Sequence, residues 1–224
     1  MIYVDDCIGV TSRVGIPQQG SAHRGGDPAE HAAHYAAERH WEVLPGAWLE
    51  QHTGVLRCSC ADEHCDAPGA HPLTPVWETQ VAGSATAARA LWAARPRASV
   101  LLPTGRSFDV LEVPEHAGCL ALARMERMGI SLGPVSATPT GRMMFFVLAG
   151  SAARTPVLLR RSGWAAGRLD LTAHGEGGYI PAPPTRMGPR GLVQWVRRPT
   201  VANRWLPDAE ELVPPLAYGC GQSR

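Results

Sequence analysis

The stretch ASVLLPTGRSFDVLEVPEHAGCLALARMERMG, Ala98 to Gly129, decides how the rest of the chain is read. Ala98 to Leu102 and Ser107 to Val113 are rich in Val, Leu and Phe and predict two strands, joined by the turn Pro103-Thr104-Gly105. Glu115 to Met128 predicts a helix, with Leu120, Ala121, Ala123, Met125 and Met128 as its apolar side and Gly129 as its stop.

Upstream, Asp27-Pro28-Ala29-Glu30 has the form of a capping box with proline at the first helical position, opening a helix to about His40. Trp41 to Leu44 predicts a short strand stopped by Pro45-Gly46, and a cysteine-rich loop runs from Arg57 to Pro72. Ser84 starts a second helix through Leu91 and Trp92, ended by Arg95-Pro96. Downstream, Met143 to Leu148 predicts a buried strand and Pro156 to Arg161 a short helix. Three more strands follow at Arg168 to Leu171, Tyr179 to Ala182 and Leu192 to Val196, then a helix at Pro207 to Leu212. This pattern predicts an α/β (α+β) fold, a sheet with helices on one side. The expected organisation is a flexible leader over residues 1–26, one domain over 27–213 with the cysteine loop at 57–72, and a C-terminal tail over 214–224.

A chain of 224 residues, 45% hydrophobic and 18% charged, can bury a real core and is not a disordered one. No apolar run nears the roughly 18 residues that cross a bilayer, so no membrane partner and a cytoplasmic location are expected. The net charge is +1, and every formal positive charge is an arginine. Between Ser151 and Arg204 nine arginines face only Asp170 and Glu176, a local balance of +7 that points a basic face toward phosphates.

Cys58-x-Cys60-x4-Cys65-x5-His71 places three thiols and an imidazole within 14 residues. Those are the ligands zinc prefers, and four of them close a structural site with no open position for chemistry. His64 is a rival to His71 as fourth ligand. Such a site would order a loop too polar to fold alone.

Several strings recur in order. They are Cys58-Ser59-Cys60 with Cys65, Pro68-Gly69-Ala70-His71-Pro72-Leu73, and Leu102-Pro103-Thr104-Gly105 leading into Phe108-Asp109-Val110-Leu111-Glu112-Val113. Thr138-Pro139-Thr140-Gly141, Leu169-Asp170-Leu171 and Gly177-Gly178-Tyr179-Ile180-Pro181-Ala182-Pro183-Pro184 come after. Over about residues 28 to 198 the chain resembles the bifunctional DNA primase/polymerase (prim-pol) N-terminal domain, a branch of the archaeo-eukaryotic primase superfamily, and most closely its actinobacterial versions. The resemblance implies a primase-like core with an RRM-like mixed sheet, and template-directed nucleotidyl transfer from nucleoside triphosphates. It also implies Mg²⁺ or Mn²⁺ held by an Asp-x-Asp pair and a third Asp, which clamp the attacking and leaving oxygens. Carried over, the first acid falls on Glu112, the second on Pro114 and the third on Asp170. Pro114 can ligate nothing, and Asp109, three residues before Glu112, projects to the opposite face. The family's phosphate-contacting histidine falls on Met144, leaving Arg142 for that contact; His174 stands near the position of a missing arginine at Thr172.

Arg186, Arg190, Arg197, Arg198 and Arg204 alternate with Trp195 and Trp205, a combination that suits a single-strand groove. Arg142, His174, Arg186, Arg197 and Arg198 are therefore the expected nucleotide and nucleic-acid contacts, and Glu112 and Asp170 the catalytic acids. The implied partners are single-stranded or primed DNA, nucleoside triphosphates and a helicase or replication protein. Three functions stay open: a nucleotidyltransferase with a degraded acidic site, a catalytically inactive nucleic-acid or nucleotide-binding module, and a zinc-stabilised interaction protein of a replication or mobile-element system.

Overall fold

The first two helices start at the caps that the sequence supplies. Asp27 accepts the Ala29 backbone N–H at 3.0 Å and opens helix α1 (Pro28–Arg39), and Ser84 accepts from Ala87 at 3.2 Å and opens α2 (Ala85–Ala94). The structure is a computed structural model that describes residues 26–165 and 167–222; apart from Gly26, the expected leader lies outside them. The first strands are β1 (Leu44–Gly46), β2 (Leu49–His52), β3 (Val55–Cys58), β4 (Ser99–Pro103) and β5 (Asp109–Pro114). Helix α3 (Glu115–Arg127) leads to β6 (Val135–Thr138) and β7 (Arg142–Val147), followed by α4 (Ser151–Arg161). The chain ends through β8 (Thr172–His174), β9 (Tyr179–Pro181), β10 (Arg186–Met187), β11 (Gly191–Leu192), β12 (Gln194–Arg197) and α5 (Ala209–Gly221).

Five strands form the main sheet in the order β12-β6-β7-β5-β8, and β1-β4-β9 form a second sheet. The α+β class holds, with every strand pair antiparallel where a mixed sheet was expected. Since β7 pairs antiparallel with both β5 and β6, the last two run parallel, joined by α3 with β7 inserted between them.

Alternation along β5 and β7 divides the buried side chains into two cores. Leu111, Val113, Met143, Phe145 and Val147 face α3, α4 and α5. Val110, Met144 and Phe146 face the other way, onto Tyr35 of α1, Trp92 of α2, Trp41 and the β4 side chains Val100 and Leu102. Trp41 stacks on Phe146 at 5.1 Å, and Trp195 joins them through a bond from its Nε1 to the Tyr35 hydroxyl at 3.0 Å. Glu112, Pro114 and Arg142 belong to this second face by parity, beyond the apolar cluster.

Several sequence expectations shift. On α3 the buried positions are Ala117, Gly118, Ala121, Leu122 and Met125, whereas Leu120 and Met128 are exposed, because the sheet selects the 117/121/125 stripe. Pro45-Gly46 belongs to β1, opposite Val100 and Ser99, instead of stopping it. Helix α4 begins at Ser151 and tolerates Pro156 inside it. The expected strand at Arg168 to Leu171 is irregular, and the ladder starts only at Thr172. The hairpin β2–β3 and strand β6 had no clear signal, being too short to show a period. The expected tail is helical through Gly221 and packed into the first core by Leu216, Ala217 and Cys220. Among the described residues no helix is long and apolar enough to cross a membrane.

Candidate functional site

Antiparallel register brings the acids together. Thr172 pairs with Glu112 and Arg142 with Pro114, so Asp170, two residues ahead of Thr172, reaches the same patch of the sheet. Between the two acids lies Arg142. Its Nε donates to Glu112 Oε1 at 2.7 Å, and its two Nη groups donate to Asp170 Oδ2 and Oδ1 at 2.7 and 2.8 Å. The remaining oxygen, Glu112 Oε2, accepts from His174 Nε2 at 2.7 Å. All four carboxylate oxygens are therefore engaged by side chains of this chain. Charge-assisted pairs of this length, one of them a two-pronged guanidinium–carboxylate pair, are the stronger kind of hydrogen bond.

The environment is graded across the cluster. The Arg142 and Glu112 side chains are 23% and 21% exposed, and Asp170 is 62% exposed. Burial pushes the Glu112 carboxyl up, but the hydrogen bonds and charges of His174 and Arg142 outweigh it and hold it below the usual carboxylate range. Asp170 is also held low, chiefly by its bond to Arg142, and Arg142 is raised in turn, chiefly by Asp170. Arg142 was expected on a phosphate and His174 near one; the structure places both on the acids.

In this arrangement Arg142 stands where a divalent metal pair would draw its ligands: two metal ions need several carboxylate oxygens turned to them, and here each oxygen already accepts a bond from the chain. Pro114 supplies none from the position of the second acid, and Met144 lies directly across from Glu112, buried in the apolar cluster. Asp109 offers no replacement: it is 1% exposed and accepts the Ala152 backbone N–H at 2.7 Å, at the start of α4.

The cysteine loop has the opposite character. The ligand atoms of Cys58, Cys60, Cys65 and His71 all lie within 4.8 Å of one another. Cys58 Sγ is 3.3 Å from His71 Nε2 and accepts the Gly69 backbone N–H at 3.3 Å. His71 Nδ1 is 2.8 Å from the Pro72 carbonyl, an acceptor that leaves Nε2 turned to the thiols, as an outer partner of a metal-bound histidine does. Gly69 adopts φ +80°, and a Cβ there would stand 2.5 Å from the Arg186 carbonyl oxygen, so only glycine lets the loop close. Three sulfurs and one ring nitrogen fit a metal such as zinc. His64 is outside the group; its backbone N–H bonds to Asp62.

The expected basic contacts separate. Arg197 pairs with Glu126 of α3 at 3.1 Å. Arg186 is on β10, whose neighbour Gly188 donates to the Pro68 carbonyl at 2.9 Å, so it borders the cysteine loop. Arg198 lines an open cleft with His31, His34 and Trp195. Sequence reasoning missed His31 and His34, although their i, i+3 spacing on α1 was legible. It also missed Arg39, which bonds to backbone carbonyls far along the chain and had no local signal.

No curated protein matches the chain, and no solved structure matches it. The family model described as "Bifunctional DNA primase/polymerase, N-terminal" matches residues 32–209. That span contains the cysteine loop, both sheets and the acid–arginine cluster, and the chain belongs to the bifunctional DNA primase/polymerase N-terminal family.

Proposed function

We propose that this domain engages nucleotides and single-stranded DNA in the manner of its family, with metal-dependent nucleotidyl transfer suppressed because Arg142 occupies the acidic site. One observation carries this: a guanidinium donates three bonds to the two acids that the family pattern assigns to metal. Two bare carboxylates would repel a triphosphate. A metal ion would ordinarily offset them, and here Arg142, a fixed positive charge of the chain's own, offsets one of the two. Nucleotide binding in this reading needs no divalent ion. The cysteine loop takes one structural zinc in the same reading, remote from any chemistry because its four ligands leave no open position.

The test is calorimetric titration of a nucleoside triphosphate with and without added Mg²⁺ or Mn²⁺, beside primer extension with each ion. Binding should need neither added ion and should weaken in Arg142→Ala, and extension should be absent. Primer extension that Asp170→Ala abolishes would overturn the proposal, as would nucleotide binding that needs a divalent ion.

A further inference from the structure

The segment Arg198–Trp205 crosses α1 and is held far more firmly than a surface loop requires. Arg39 Nη1 donates to the Thr200 carbonyl at 2.8 Å and Nη2 to the Asn203 carbonyl at 3.0 Å, while its guanidinium sits 5.0 Å from the centre of the Trp41 ring. Thr200 and Asn203 cap each other's turn, the Thr200 backbone N–H donating to Asn203 Oδ1 at 2.7 Å, and Asn203 Nδ2 donates to the Arg198 carbonyl at 2.9 Å. On this fixed backbone Trp205 is 86% exposed and Val201 89% exposed. A tryptophan that contributes nothing to the core, on a loop with little freedom, is a preorganised flat surface.

Basic side chains predominate around it, with Asp27 and Glu30 as the acidic neighbours of the cleft. Where the segment begins, Arg198 and Pro199 wall a cleft of about 280 Å³ with His31, His34, Tyr35 and Trp195. Glu30 also borders that cleft but is tied to Arg89 by two bonds of 3.2 Å. Burial first, then His34 and Arg198, disfavours the charged form of His31 against an opposing pull from Asp27, and burial first, then Arg204, does the same to Arg39. Among the described residues neither Arg198 nor Arg204 takes part in an ion pair. Unpaired guanidiniums on the same segment as an exposed ring fit a partner with phosphates and unstacked bases.

We infer that the strip from the His31/His34 cleft along Arg198 and Arg204 to Trp205 is a docking surface for single-stranded DNA, with a base stacked on Trp205. The choice of DNA rests on the family reading above; the surface rests on its own geometry. It lies on the α1 side of β12 and uses none of the residues of the acid–arginine cluster.

Fluorescence anisotropy with labelled dT20 and an abasic 20-mer of equal charge tests it. Trp205→Ala should weaken dT20 binding about tenfold, a typical loss for one stacked base, and leave the abasic strand unaffected. Trp205→Phe should restore part of the affinity. Since the ring is exposed, melting temperature should not change in either variant. Arg198→Ala with Arg204→Ala should weaken both strands and flatten the salt dependence by about 1.4 in logarithmic slope, at about 0.7 per phosphate contact. Binding of dT20 that ignores Trp205 overturns this surface while leaving the family's engagement of DNA intact. Absence of any dT20 binding overturns both, and binding of rU20 alone overturns the choice of DNA.

Discussion

The cysteine loop and the acid–arginine cluster each gather four polar side chains within bonding distance, yet they are prepared for opposite things. In the loop, three thiols and His71 converge without any cation of the chain among them. In the cluster, Arg142 stands in the middle and Glu112, Asp170 and His174 are already satisfied around it. A ligand set is therefore defined as much by what already fills its centre as by which residues surround it. Electrostatics explains the consequence: a group whose negative charge is met by a guanidinium gains far less from an added metal than one whose charge is unmet.

The contrast breaks most visibly if zinc is taken away. Chelation, or Cys60→Ser, should cost several kcal/mol of metal-coupled folding. At about 2–4 °C per kcal/mol for a chain of this size, the melting temperature should fall by about 10 °C. Purified protein without stoichiometric zinc, combined with an unchanged melting curve for Cys60→Ser, would sink that side of the comparison. Next comes the reverse manipulation. Native protein should show no saturable Mn²⁺ binding by electron paramagnetic resonance, and Arg142→Ala with Pro114→Asp should acquire it, since the change removes the internal cation and supplies a third acid. Mn²⁺ bound at this site in the native chain would erase the distinction between the two regions.

Within the cluster the two acids are unequal. Glu112→Ala removes the partner of Arg142 Nε and of His174 while Arg142 keeps its pair with Asp170, and should cost about 1–2 kcal/mol. Asp170→Ala, at an exposed end, should cost about 1 kcal/mol or less. Urea denaturation of both variants checks the ranking. The smallest effect is on pH. Both carboxyls are held below their unfolded values, so their stabilisation is complete above about pH 5 and disappears as pH falls through the folded values. Glu112→Gln should flatten the acid limb of a melting-temperature profile, and Asp170→Asn should do so less. An acid limb identical to the native one in Glu112→Gln would show that this carboxyl is not held low.

Much of the fold was legible because its signals are local. Caps at Asp27 and Ser84, the apolar run of β7 and the Gly129 stop each depend on a few neighbouring residues. What failed was short or nonlocal. A strand of four residues such as β6 shows too little of its period, and α5 carries two prolines inside it that read as a tail until its apolar side is packed. In the cluster, the resemblance placed Glu112 and Asp170 on one site, and nothing in their spacing showed that Arg142 would bond both.

By itself the sequence determined the three cysteines of the candidate metal group, because they are confined to one short loop, and left its fourth member between His64 and His71 until the fold brought His71 to the thiols. It also determined that Pro114, where the resemblance would put the second acid, brings no side-chain ligand. Only the tertiary structure decided what fills the acidic site. Glu112, Arg142 and Asp170 sit on β5, on β7 and just ahead of β8, and register across these strands, set by burial of alternate faces, carries the guanidinium between the two carboxylates.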